Sequence, residues 1–97
     1  MADLREFRNQ IDNIDKEIVK LFEKRMEIVL DVAKYKKQNH IPVLDSSREE
    51  EVINKNIGYL KNKELENYLR KFYINFMNLS KDYQSIQINR NPEDLVI

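Results

Sequence analysis

The chain predicts an all-α fold: a three-helix protomer with one long N-terminal helix, intertwined with a second copy as a helical homodimer. Three observations carry this. Apolar residues recur at spacings of three and four through the first third and again near the end. One glycine and two prolines among 97 residues leave few breaks. A charged fraction of 35% suits exposed helix faces.

The first helix is expected over residues 3–38. Leu4, Phe7, Ile11, Ile14, Ile18 and Leu21, then Ile28, Val32 and Tyr35, form a heptad seam, with nothing between them to stop it. The break falls at Asn39-His40-Ile41-Pro42, because proline disfavours helix for itself and for the residue before it. A second helix starts near Asp45-Ser46-Ser47. Ser46 followed by Glu49 is a capping-box pattern, with Asp45 as a second candidate cap. This helix carries Val52, Ile53 and Ile57 on one side and weakens around Gly58. The third is expected over residues 63–87, with Leu65, Leu69, Phe72, Phe76, Leu79, Tyr83 and Ile86 as its seam. Residues 1–88 then form one helical domain, and residues 89–97 an extended or loosely ordered tail.

Length points to a partner. A helix of roughly 35 residues is about 50 Å long, whereas a compact domain of this size has a radius of gyration of about 12–13 Å. Two shorter helices cannot cover that seam. A second copy with the long helices side by side and antiparallel is the simplest cover; a monomer with a frayed or kinked first helix is the alternative.

Composition narrows the chemistry. With no cysteine there is no disulfide, thiolate zinc site or cysteine nucleophile. The single histidine, His40, removes the usual multi-histidine metal sites and reads as a loop residue without a catalytic part. A formal net charge of zero argues against a general nucleic-acid binder. No stretch is long and apolar enough for a membrane span. The N-terminus is charged from Asp3 and has no apolar core of a signal peptide, so a cytoplasmic location is expected.

The most informative residue is Arg25, which occupies the seam position that follows Leu21. An unpaired guanidinium on a buried face costs several kcal/mol, so an anion should meet it: a carboxylate of the protein, Glu49 being a candidate, or an anionic ligand. Lys36 falls on the same helix face, about 16 Å further along the axis, and could converge with Arg25 on one small molecule. Arg8 lies about 25 Å away along the same helix, too far to share that ligand. In an antiparallel dimer the partner's Arg8 would approach Arg25, and three cations would suit a ligand with two carboxylates. Each residue also has an ordinary reading. Lys36 is explained as a helix-end cation, Arg8 and Arg5 as surface arginines, Glu49 and Asp45 as caps, and Ser80 and Gln84 as boundary polar residues. Arg48 lies against the dipole in the first turn of its helix, and Asn54, Lys55 and Asn56 read as solvated surface.

Taken together, these positions resemble the all-helical (type II) chorismate mutase family over residues 4–84. Phe7-Arg8-Asn9-Gln10-Ile11-Asp12-Asn13-Ile14-Asp15 is similar to the family's Leu-Arg-x-x-Ile-Asp-x-Ile-Asp opening. Arg25 and Lys36 fall at its second arginine and its lysine. Pro42-Val43-Leu44-Asp45-Ser46-Ser47-Arg48-Glu49 matches its Pro-Val-x-Asp-x-x-Arg-Glu motif, and Ser80 and Gln84 are placed by their mutual spacing of four. Phe7 in place of leucine and Arg5 as a competitor for Arg8 are mild departures.

The resemblance implies conversion of chorismate to prephenate, an intramolecular Claisen rearrangement on the route to phenylalanine and tyrosine. It needs no cofactor, metal, nucleophile or general base. Lys36 and Gln84 would be catalytic, donating to the ether oxygen. Arg25 and the partner's Arg8 would clamp the carboxylates, Glu49 and the backbone near Asp45 would receive the ring hydroxyl, and Arg48 and Ser80 would complete the wall. The implied partners are the dianionic substrate and a second copy of the chain, not nucleic acid or membrane. Alternatives are an isochorismate-pyruvate lyase of the same fold, a non-catalytic helical module docking on a shikimate-pathway enzyme, and a coiled-coil adaptor, which leaves Arg25 unexplained.

Overall fold

In the computed structural model, which describes residues 3–42 and 45–89, the chain forms α1 (Leu4–Gln38), α2 (Ser46–Gly58), a single 3-10 turn (Lys63–Leu65) and α3 (Glu66–Ile88). No strand occurs among these residues, and no helix is long and apolar enough to cross a membrane. Val43 and Leu44 of the loop motif, and the tail from residue 90 onward, lie outside the described residues.

Each helix end has a local cause. The Asp3 carboxylate accepts the Glu6 N–H at 3.0 Å and caps α1. At the other end Ile41 N–H reaches the Lys36 carbonyl (2.8 Å) and His40 N–H that of Lys37 (3.3 Å), a Schellman closure with His40 at φ 56°. A side chain with a Cβ pays for that left-handed backbone, and glycine does not. His40→Gly is therefore expected to raise stability by about 1 kcal/mol; a urea midpoint that stays put or falls would mean that the imidazole makes a compensating contact.

The start of α2 corrects the capping-box expectation. Asp45, not Ser46, has the extended backbone of a cap, and its carboxylate accepts both the Arg48 N–H (3.1 Å) and the Ser47 hydroxyl (2.8 Å). Ser46 is already helical, so its hydroxyl is one residue too late to cap, and Glu49 is released for another partner.

Helix α3 lies in the middle. It packs against α1 on one side and α2 on the other, while α1 and α2 make no close backbone approach among the described residues. Against α2, the buried Ile53, Ile57 and Met77 form a small core flanked by Val52, Leu69 and Tyr73. Asn56, expected as solvated surface, is half-buried here: its Nδ2 donates to the Val52 carbonyl (2.8 Å) and its Oδ1 accepts the Tyr73 hydroxyl (3.2 Å). Against α1, Ala33 is fully buried, Phe22 stacks on Phe76 with centroids 5.7 Å apart, and Lys37 Nζ donates to the Ile88 carbonyl at 3.0 Å.

The seams themselves remain uncovered within one chain. Leu4, Ile14, Leu21 and Tyr35 on α1, and Phe72, Leu79 and Ile86 on α3, are each more than half exposed. The inward face of α3 is a different stripe, Tyr73, Met77, Ser80 and Gln84. One chain therefore holds two apolar surfaces, and its own packing uses the narrower one. The radius of gyration is 17.3 Å, against about 12–13 Å for a compact domain of this length, and the principal extents are 56 × 36 × 15 Å.

Candidate active site

Because α1 and α2 stand apart on either side of α3, a cavity of about 610 Å³ opens between them. Helix α1 supplies Arg25, Ile28, Val29, Val32 and Lys36, a single face at steps of three and four. Helix α2 brings Arg48, Glu49 and Val52 from its first two turns, with the cap Asp45 beside them. Met77, Ser80 and Gln84 form the floor. Arg8 lines no part of this cavity: it sits exposed near the far end of α1.

Arg25 is half-buried, and the ion pair with Glu49 raised from the sequence does not form. Among the described residues its guanidinium meets no carboxylate; Nη1 donates to Ser80 Oγ at 3.2 Å, and Cζ lies 4.4 Å from the centre of the Phe76 ring. Ser80, only 5% exposed, donates its own hydroxyl hydrogen bond to the Phe76 carbonyl at 2.9 Å. The neutral hydroxyl and the aromatic face orient the guanidinium without neutralising it, so its charge is available to an anion in the cavity.

Gln84 is fixed by a carbonyl. Its Nε2 donates to Val29 O at 2.9 Å, which only an N–H can do, so the amide orientation is set by the backbone of α1. Ser80 and Gln84 are the buried polar residues of the described chain, and no buried side-chain polar atom there lacks a partner. Lys36, half-buried one turn from the end of α1, acts electrostatically on Asp45. The Asp45 carboxyl lies below its ordinary value of 3.8, chiefly through the Ser47 hydroxyl, then through the Arg48 N–H, with Lys36 adding to both. Arg48 lies on the exposed rim of the cavity, with Nη1 2.6 Å from Glu51 Oε1. A surface ion pair of this kind is weak.

Two lysines missed in the sequence also line the cavity, Lys24 and Lys81. Lys81 Nζ lies 2.9 Å from Glu49 Oε1. Its position, four after Met77 and three before Gln84, was a readable signal. In all, five cationic side chains face two carboxylates around the cavity, although the whole chain is neutral. No group of three or more His, Asp or Glu side chains is placed to hold a metal ion among the described residues.

Concentrated positive charge around a largely apolar hollow, built on helices alone, defines the class as an all-helical protein with a cationic cavity. Comparison with known proteins gives that class its family. The profile of chorismate mutase type II matches residues 7–85, and the chain belongs to that family. It is 41% identical over 73 residues to a bifunctional chorismate mutase/prephenate dehydratase of Buchnera aphidicola subsp. Schizaphis graminum, covering 73% of this chain and 19% of that protein. It is 41% identical over 49 residues to the T-protein of Haemophilus influenzae, covering 50% of this chain and 13% of the relative. A second bifunctional chorismate mutase/prephenate dehydratase, from Buchnera aphidicola subsp. Baizongia pistaciae, is 38% identical over 68 residues, covering 70% of this chain and 17% of that protein. The chain thus spans less than a fifth of the length of these curated relatives. No solved structure matches it significantly.

Proposed function

We propose that the cavity converts chorismate to prephenate and that the protein serves phenylalanine and tyrosine biosynthesis. The observation that supports this most is that Arg25, Lys36, Glu49, Ser80 and Gln84, from three separate helices, line one cationic cavity within the region that matches the family. In the rearrangement the ether C–O bond breaks as a new C–C bond forms within the same molecule, and no atom enters or leaves. The protein has two tasks. It holds a flexible dianion in the reactive chair, an effect of orientation, and it stabilises negative charge as it grows on the ether oxygen.

Arg25 takes one carboxylate, with Ser80 keeping the guanidinium aimed. Lys36 and the second N–H of Gln84 donate to the ether oxygen. Glu49 and the backbone beside Asp45 accept the ring hydroxyl, and Arg48 closes the wall after leaving Glu51.

The functional unit in this reading is an antiparallel homodimer. The exposed seam of α1 supports it, as does an apolar groove of about 630 Å³ between α1 and α3, lined by Ile18, Phe22, Phe72, Phe76 and Leu79 and reaching Arg25. A second α1 laid along this surface would bury the seam and carry Arg8 to the cavity as the clamp for the second carboxylate.

The test is to incubate the purified protein with chorismate, follow the loss of its ultraviolet absorbance and identify the product after acid conversion to phenylpyruvate. Saturable prephenate formation is expected. No turnover of chorismate, with release of pyruvate from isochorismate instead, would reassign the cavity to lyase chemistry.

A further inference from the structure

We propose that Lys81 is a positioning residue that acts through Glu49, supplying the counter-charge that lets a carboxylate line a pocket built for a dianion. The inference rests on the chorismate reading above.

A glutamate in this cavity poses an electrostatic problem. It is the natural acceptor for a ring hydroxyl, yet its charge repels the two carboxylates that the same ligand brings. Asp45 avoids this, because its charge is spent on the Ser47 hydroxyl and the Arg48 N–H at the start of α2. Glu49 has no such cap role, and its partner among the described residues is Lys81 on α3, at 2.9 Å. The pair links two helices across residues distant in sequence, both members line the cavity, and their side chains are 34% and 30% exposed. The Arg48–Glu51 ion pair, by contrast, spans one helical turn on open surface, with exposures of 58% and 64%. Lys81 Nζ occupies Oε1 of Glu49. That fixes the carboxylate and leaves Oε2 for the ligand O–H, and the approaching dianion meets a neutral pair in place of a bare negative charge.

Steady-state kinetics with chorismate at low ionic strength test this. Lys81→Met is expected to raise KM about tenfold, a change of about 1.4 kcal/mol in binding, while kcat stays within about threefold. Lys81→Arg should restore KM, and added salt should shrink the Lys81→Met defect. The decisive measurement is Glu49→Gln in two backgrounds. With Lys81 present it should raise KM, because a charged acceptor is lost. On top of Lys81→Met it should lower KM, because an uncompensated charge is removed. A change of sign of this kind cannot come from a pair that merely ties α2 to α3. An unchanged KM in Lys81→Met, or an equal rise from Glu49→Gln in both backgrounds, would overturn the proposal. A wild-type protein that does not convert chorismate would overturn the functional reading itself, and the role of the pair with it.

Discussion

Lys36→Ala is expected to lower kcat by about two to three orders of magnitude, the scale seen when one donor to a developing oxyanion is removed, and to leave the fold intact. The argument begins with placement. Lys36 is half-buried at the end of the cavity-facing stripe of α1 that begins with Arg25, so its ammonium is held at one end of the hollow. In the ground state the ether oxygen is a weak acceptor; as its bond to carbon breaks it gains charge, and the ammonium interacts more strongly with it. A contact that strengthens towards the transition state appears in kcat more than in KM. The last turn of α1 is closed by the backbone Schellman bonds at His40 and Ile41, to which the Lys36 side chain does not contribute. Near-normal turnover by a folded Lys36→Ala protein would sink the assignment.

The second large effect concerns two arginines on one helix. Arg8→Ala and Arg25→Ala are each expected to be nearly inactive, because each leaves a carboxylate of the ligand without its guanidinium, and a charged group that has lost its buried partner costs several kcal/mol. Mixed and allowed to exchange subunits, the two variants should recover activity. A heterodimer in the antiparallel arrangement has one site with both substitutions and one with neither, so statistical mixing should restore about a quarter of the wild-type rate, half of the dimers being hybrid with one good site each. Native mass spectrometry would verify exchange. Verified hybrids without activity would show that Arg8 does not serve the cavity of the other chain.

The helices were legible because local signals agreed with one another. Asp3 and the Asn39-Pro42 break bound α1 within a residue of expectation, and Gly58 closes α2. The cavity wall on α1 could be read because a charge at a seam position is costly and therefore conspicuous. Ser80 and Gln84 could not be distinguished from boundary residues by spacing, since a helix with two apolar faces offers two stripes and periodicity does not say which is turned inward. For the same reason the seam of α3 proved to be the exposed one, and the inward face held the polar floor. Asn56 was missed because its role depends on Tyr73 arriving from another helix. The spacing of Lys81 from Met77 and Gln84 placed it beside the inward stripe of α3, but a lysine there looks ordinary until the carboxylate opposite is known.

The protomer is 15 Å thick in its shortest direction, little more than the diameter of one helix with its side chains, about 10–12 Å. A sheet of single helices has two outsides and hardly an inside. In the homodimer proposed above, becoming ordered and acquiring a partner are expected to be one event, governed by mass action. The melting point of such a dimer would belong to a concentration rather than to a molecule: it is expected to rise as the protein is concentrated, with dilution working as a mild denaturant that needs no urea.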